Sequence, residues 1–225
     1  MGSGCKPEPA RKRCKMNIFK IFRFILFLSA IGMLISCSPF TPSNVVKEDQ
    51  IAFLKSYGKT SLRVAIVDYA GIKFSWRSLY TVYDIQSNSK KVFKNFFEKI
   101  DYYKGNANIQ KNDYDLIIEL KDFSITHSEG EKGNAFWYRN VLSLDIRVVS
   151  TIDDGELFNF SAMGTGTEKT DLSGNRESRA ILRDITVEWA EAKSNVSLFE
   201  DIAQLMANQY ETLMTVPVTK QDENG

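Results

Sequence analysis

The residue with the most distinctive chemistry in this chain is Cys37, whose thiol lies just after an uncharged apolar run. Residues 24–35 are twelve consecutive residues without a charge, and Lys20 and Arg23 precede them. A basic segment, a short apolar segment and small residues, in that order, are typical of the signal peptide of an exported protein. A helix that crosses a hydrocarbon core of about 30 Å needs about 20 apolar residues. We therefore predict that this segment is removed rather than kept as an anchor.

The four residues Leu34-Ile35-Ser36-Cys37 resemble the lipobox of bacterial lipoprotein signal peptides. In lipoproteins of this kind the thiol is acylated with diacylglycerol, and the chain is cut immediately before the cysteine. The resemblance implies that Cys37 is the lipid-attachment residue and that it would incorporate palmitate. An uncleaved anchor and an ordinary secretory signal are the alternatives.

The first fifteen residues do not fit this signal. They hold five Lys or Arg residues and two prolines, without an apolar pattern, which is typical of a disordered segment. A start at Met16 would give a conventional short basic region, so we interpret Met16 as the initiator. The rival interpretation is an N-terminal acylation site at Gly2 and Cys5, but Lys6 stands where a myristoylation motif has Ser or Thr.

Charge and cysteine content restrict the function of the remaining chain. Residues 1–36 hold seven of the 29 basic and one of the 28 acidic residues, which leaves a net charge of −5 from Cys37 onward. Nucleic-acid binding needs clustered Lys and Arg, and the basic residues here are scattered, so we predict no nucleic-acid partner. Cys37 is the only cysteine in this part. An intramolecular disulfide is therefore impossible, and a cysteine-rich zinc site is excluded.

Three patterns could in principle carry chemistry. His127 is the only histidine and lies in a polar segment that predicts a solvated loop. Asp153, Asp154 and Glu156 could bind calcium, but turn chemistry explains them better. Gly164-Thr165-Gly166 lacks the third glycine and the following helix of a phosphate-binding loop, so we interpret these residues as strand glycines at a bulge or a close contact. No pattern supplies a nucleophile with a base. We predict no enzyme, no catalytic residue, no metal and no cofactor.

Apolar periodicity predicts the fold class α/β (α+β), with a mixed, largely antiparallel sheet that carries helices on one side. Residues 62–68 and 114–125 have strand composition. Residues 140–150 alternate, and Asp154-Gly155 is a type I′ turn signal, so a hairpin with residues 156–167 is predicted. Residues 176–193 indicate a helix, and the capping-box pattern of Ser197 and Glu200 predicts that another helix begins there. Residues 126–134 are predicted to form a mobile polar loop.

A phenylalanine-rich segment offers two interpretations. Residues 92–100 place their apolar side chains on one stripe of a predicted helix; these are Val92, Phe93, Phe96, Phe97 and Ile100. Core packing is the preferred interpretation. The alternative is a ligand cleft between this helix and the sheet.

Phe136-Trp137-Tyr138 is the candidate partner-docking site. Three adjacent aromatic residues follow a glycine-containing polar segment, and large aromatic side chains are favoured anchors at interfaces. The alternative is that they begin the hairpin strand.

The predicted organisation has four parts. Residues 1–36 are the leader and lipoprotein signal peptide, and residues 37–50 are the acylated cysteine and a tether rich in polar residues and proline. Residues 51–216 form one periplasmic α/β domain, and residues 217–225 form a disordered tail.

The order of these elements resembles a group of Gram-negative periplasmic lipoproteins. The resemblance covers about residues 60–215, and its residues are Asp-Tyr-Asp-Leu-Ile-Ile-Glu-Leu-Lys-Asp-Phe at 113–123 and Ala162-Met163-Gly164-Thr165-Gly166. The group includes the penicillin-binding-protein activator lipoproteins and the curli-secretion lipoprotein, whose domain is similar to the N-terminal domain of the Tol translocation protein. It implies an accessory role in the envelope; we recognise no insertion of the secretion-pore kind.

We therefore predict an outer-membrane lipoprotein on the periplasmic face that acts as a non-enzymatic binding or assembly accessory of an envelope complex. Ser38, directly after the acylated cysteine, fits this location, because the inner-membrane retention signal of enteric bacteria is an aspartate there. The predicted partners are the membrane, through the lipid anchor, and an envelope protein that the sequence does not identify. A periplasmic small-molecule or lipid carrier is the alternative function.

Overall fold

The structure, a computed structural model, describes residues 43–70, 79–105 and 107–218. Thr41–Gly225 forms one compact unit. The leader, Cys37, the first part of the predicted tether and most of the predicted tail lie outside the described residues.

A five-stranded mixed sheet forms the centre of the domain, with strand order β2-β1-β3-β4-β5. β1 is parallel to β2 and to β3, while β3, β4 and β5 form consecutive antiparallel pairs. The strands are β1 (Thr60–Asp68), β2 (Phe97–Lys104), β3 (Leu116–Lys132), β4 (Ala135–Ser150) and β5 (Glu156–Asp171). The predicted fold class, α/β with a mixed sheet in one domain, is confirmed.

The helices pack on one face of the sheet, which we call the inner face. They are α1 (Leu79–Phe93), α2 (Arg176–Asn208) and the short α3 (Tyr210–Met214), with 3-10 turns at Ala52–Ser56 and Lys111–Asp113. Apolar side chains of β1, β3 and β4 meet those of α1 and α2 in one buried cluster. Val46 also belongs to this cluster and is fully buried, so the packed region reaches into residues 37–50, which the sequence analysis assigned to the tether.

The predicted helix over residues 92–100 is wrong. α1 ends at Phe93, and Phe97 already begins β2, where it pairs with Thr60 of β1. The side-chain amide of Asn95 donates to the carbonyls of Lys91 (2.9 Å) and Val92 (3.1 Å) and so satisfies the end of the helix. The apolar spacing was misread because a helix end and a strand start bury their aromatic side chains in the same core.

The predicted loop at residues 126–134 is also wrong, because β3 continues to Lys132 and a two-residue turn leads directly into β4. Gly133 has a φ of 63° in this turn, a conformation that glycine adopts without strain. The side chains here are mostly exposed on both faces, so the segment lacks the apolar alternation that marks a half-buried strand.

The second hairpin, between β4 and β5, is confirmed, but its turn differs from the prediction. Asp154 has a positive φ of 54° and Gly155 does not, whereas a type I′ turn needs positive φ at both positions. The carboxylate of Asp153 instead accepts a hydrogen bond from the Gly155 N–H (3.1 Å).

The predicted helix start at Ser197 is wrong, because α2 is continuous over 33 residues. Its N-cap is Asn175, whose side chain accepts a hydrogen bond from the Ser178 N–H (2.9 Å). Leu198 and Phe199 are fully buried in the middle of this helix, and their packing outweighs the local capping pattern.

Two glycines bring α2 onto β5. A Cβ atom on Gly164 would lie 2.0 Å from the Ser194 carbonyl oxygen, and one on Gly166 would lie 1.9 Å from the Ala190 carbonyl oxygen. The predicted close contact at these glycines is confirmed. At the sheet edge formed by β5, the Met163 N–H donates to the Asp201 carboxylate of α2 (2.8 Å).

Candidate docking surface on the long hairpin

The three aromatic residues proposed for docking do not share a surface. Phe136 and Tyr138 are 4% and 6% exposed, whereas Trp137 is 38% exposed. Successive side chains of a strand point to opposite faces, and all three residues lie in β4. The strand interpretation therefore holds for the segment, and of the three residues only Trp137 remains available to a partner.

Phe136 and Tyr138 pack the N-terminal half of α2 against the sheet. They form a buried cluster with Leu172 and Ala190, and Leu182 and Val187 pack against it. The guanidinium of Arg183 lies 5.7 Å from the centre of the Phe136 ring and pairs with Glu131 of β3. These contacts explain why two of the three aromatic residues are structural.

His127 lies in β3 rather than in a loop. Its ring stacks on that of Tyr138, with 5.8 Å between the ring centres and 17° between the planes, and it remains exposed. No base or acid that would give it a catalytic role is among its described contacts. Its exposure agrees with the predicted solvated histidine.

On the face opposite the helices, the hairpin presents an exposed surface that we call the outer hairpin surface. β4 lies in its centre: Trp137 pairs with Gly130 of β3 and Lys169 of β5, and Arg139 pairs with Ser128 and Thr167. The side chains of this surface are exposed; they are Thr126, Ser128, Trp137, Arg139, Thr167 and Lys169.

The indole ring of Trp137 lies close against Gly130. A Cβ atom at Gly130 would come within 2.8 Å of the indole Nε1, so only glycine leaves room for the ring in this position. A large aromatic side chain that is supported from below and open from above has the geometry of an interface anchor. Sequence reasoning found Trp137 but missed its neighbours in β3, because that strand was interpreted as a loop.

The acidic residues at the β4–β5 turn are engaged in other contacts. Asp154 pairs with Lys111 (2.6 Å), and Glu156 pairs with Arg147 (2.7 Å). The Arg147 hydrogen bond is the main reason that the pKa of Glu156 lies below its usual value. Among the residues that the structure describes, no group of three or more His, Cys, Asp or Glu residues could hold a metal ion.

The phenylalanine-rich segment is part of the core. Phe93, Phe96 and Phe97 are each 0% exposed. The Phe96 ring lies 6.2 Å from that of Tyr57 and 6.5 Å from that of Tyr210. The preferred interpretation, core packing, is therefore what the structure shows. The helix that was to form one wall of a ligand cleft does not exist as predicted.

Among the described helices, none has the length and apolar character needed to span a membrane. Cys37 lies outside the described residues, so its acylation stays a prediction.

Comparison with solved structures finds bacterial lipoproteins. The chain is similar to a minor lipoprotein from Acinetobacter baumannii, with 8% identity, a TM-score of 0.39, and 72% of this chain and 99% of that chain covered. It is also similar to the rare lipoprotein B from Shewanella oneidensis, with 12% identity, a TM-score of 0.37, and 68% and 98% of the two chains covered.

These likenesses show no family. A third, to lipoprotein B from Nitrosomonas europaea, has 12% identity and a TM-score of 0.34 and covers 68% of this chain and 89% of that chain. No family model and no curated protein sequence matches the chain. With identities and scores this low, no function follows from the matches.

Proposed function

We propose that this protein is an outer-membrane lipoprotein, acylated at Cys37, whose periplasmic domain binds a protein of the cell envelope and acts as a non-enzymatic accessory in its complex. The observation that carries the proposal is the outer hairpin surface, where Trp137 is exposed and supported by Gly130.

The shape and chemistry of this surface suit a protein partner better than a small molecule. It is a face of three paired strands without a described helix above it, and its side chains are those of Ser, Thr, Arg, Lys and Trp. Small-molecule sites are usually concave and mostly apolar, whereas interface anchors are enriched in Trp and Arg. Trp137 and Arg139 are neighbours on this face.

Lipid attachment is tested by metabolic labelling with a palmitate analogue in a Gram-negative host. We expect the label on the full chain and its loss in Cys37→Ala. Fractionation of the labelled cells should recover the protein with the outer membrane. Label that remains on Cys37→Ala would contradict the anchor, and recovery with the inner membrane would contradict the location.

The docking surface is tested by placing a photo-crosslinking amino acid at Ser128 or Lys169. Both positions should give the same discrete adduct in the native envelope, and Trp137→Ala should abolish it. Ile152 is a matched control, because it is 55% exposed and lies in the turn that follows the opposite end of β4. The same adduct from position 152, or one that persists in Trp137→Ala, would refute docking at this surface.

A further inference from the structure

The domain holds the segment that follows Cys37 by its backbone. The Asn88 side chain of α1 accepts from the Val46 N–H (2.9 Å) and donates to the Asn44 carbonyl (2.9 Å). Asn195 of α2 donates to the same Asn44 carbonyl (3.0 Å), and Lys91 donates to the Val46 carbonyl (2.7 Å). Asn88 and Asn195 are 0% and 2% exposed. Both long helices therefore fix the point where the chain enters the domain.

Few residues link Cys37 to this clamp. Six residues separate Cys37 from Asn44, and seven fully extended steps reach at most about 25 Å. A helix of the length of α2 is about 50 Å long. An acyl group on Cys37 would therefore keep the surface around Asn44 near the membrane, while more distant parts of the domain stay out of its reach.

Three exposed lysines lie close to this entry point. Lys55 and Lys94 line a depression of about 170 Å³ together with Glu48, Ile51 and Asn95. The Lys94 hydrogen bond and charge, followed by the charge of Lys55, hold the pKa of Glu48 below its usual value. Lys47 lies one residue after Val46 and is also exposed.

An exposed aromatic residue lies in the same short segment. Phe53, between Lys47 and Lys55 in the chain, is 40% exposed. The four lysines 47, 55, 91 and 94 outnumber the three acids, which are Glu48, Asp49 and Glu200, the last hydrogen-bonded to Gln50. Aromatic and basic side chains together are typical of surfaces that rest in the headgroup region of an anionic membrane.

We propose that Lys47, Phe53, Lys55 and Lys94, which we call the lysine face, lie against the anionic phospholipid headgroups of the membrane that carries the Cys37 anchor. This inference rests on the proposed lipid attachment and adds an orientation to it. The lysines are drawn to the negative surface, Phe53 inserts its ring among the headgroups, and the backbone clamp at Asn44 keeps this side of the domain toward the lipid.

The test is lysine acetylation, read by mass spectrometry, on the full acylated chain. The chain is compared in neutral detergent micelles, in phosphatidylcholine vesicles, and in vesicles of phosphatidylethanolamine and phosphatidylglycerol. We expect acetylation of Lys47, Lys55 and Lys94 to fall about fivefold in the anionic vesicles alone, and the protection to fade at high salt. Lys132 of β3 and Lys169 of β5 are exposed and should react equally in all three samples.

A variant pair makes the test specific. Phe53→Ser with Lys55→Glu should restore the reactivity of Lys47 and Lys94 in anionic vesicles to the micelle value. The matched control is Met163→Ser with Lys132→Glu. It changes an exposed apolar residue of β5 and an exposed lysine of β3 and should leave the protection intact. Equal melting temperatures of both variants would show that the fold is kept.

The intact mass of the chain separates this proposal from the one on which it rests. An acylated chain with equal lysine reactivity in micelles and anionic vesicles overturns the lysine face and leaves the lipoprotein assignment standing. Equal protection in phosphatidylcholine vesicles overturns the role of anionic headgroups. A chain without an acyl group on Cys37 overturns the anchor and the orientation together.

Discussion

The sheet has two ends that differ in how many of their faces are covered: the near end, around β1, and the far end, at the turn between β3 and β4. At the near end, β1 runs between β2 and β3, and both of its faces are buried: Val64 and Ile66 lie in the inner core, and Ala65 and Val67 lie in an outer cluster with Tyr114 and Ile117. At the far end, α2 covers β4 on the inner face, and the outer face of the hairpin is exposed.

In the proposed function, this difference lets one strand serve both stability and recognition. β4 crosses from the near end to the far end, and its inner side chains are buried along its whole length. Its outer side chains change from the buried Val149 to the exposed Trp137. The far end therefore carries the proposed docking surface on a scaffold that the near end stabilises.

The largest effect is expected where α2 meets β5. Gly166→Ala would place a Cβ atom 1.9 Å from the Ala190 carbonyl oxygen, and the backbone of α2 would have to move away. We expect a loss of about 4 kcal/mol in the free energy of unfolding, measured in urea. Gly133→Ala is the matched control: nothing lies within 4 Å, but its φ of 63° costs about 1 kcal/mol. Equal losses would show that the contact is not tight.

The second prediction separates the two faces of the hairpin. Phe136→Ala removes a buried ring and should cost about 3 kcal/mol. Trp137→Ala, one residue further, removes a side chain that is 38% exposed and should cost about 1 kcal/mol. Urea unfolding of both variants gives the difference. A loss at Trp137 as large as that at Phe136 would mean that the outer face is also covered.

The third prediction compares the same substitution on the outer face of the two ends. Val67→Thr places a hydroxyl group in the buried outer cluster, where Val67 is 1% exposed, and should cost about 2 kcal/mol. Val141→Thr lies between Thr126 and Thr165 on the outer face of the hairpin and should stay within about 0.5 kcal/mol. The comparison fails if the two melting temperatures fall by the same amount.

The smallest effect concerns pH. Burial, and then the hydrogen bond to Asp68, raise the pKa of Tyr102 well above its ordinary value of 10.0. The unfolded chain then loses this proton first, so the stability from neutral Tyr102 is present below pH 10 and falls as the pH rises further. Tyr102→Phe should cost about 1 kcal/mol at pH 8 through the lost hydrogen bond. The difference in the free energy of unfolding between Tyr102→Phe and the unchanged protein should shrink toward pH 11. A difference that stays constant with pH would contradict the prediction.

The sequence was most informative where burial is regular. The strand at residues 62–68 and the β4–β5 hairpin were predicted correctly, because a two-sided core gives a continuous apolar run and a one-sided core gives alternation. Residues 126–132 were missed, because their strand is held by its ladder to β4 rather than by apolar burial. Phe97 was misassigned because only the tertiary fold decides whether a buried aromatic residue belongs to a helix or a strand.

The candidate site was partly predictable for the same reason. The aromatic segment was found, and the alternation rule alone would have separated Trp137 from Phe136 and Tyr138. Two other features depend on contacts between residues apart in the chain: the position of Trp137 against Gly130, and the point at Asn44 where the chain enters the domain. No local pattern carries that information.

The hydrogen bond between the Met163 N–H and the Asp201 carboxylate affects how copies of the protein could associate with one another. β5 is the last strand of the sheet, and an open edge of this kind invites strands of other molecules to add to it. Copies anchored as proposed would share one plane and meet at high local concentration. A carboxylate that occupies an outward-facing N–H near the middle of the edge interrupts the ladder that a neighbouring strand would need, and so opposes growth of the sheet into fibrils.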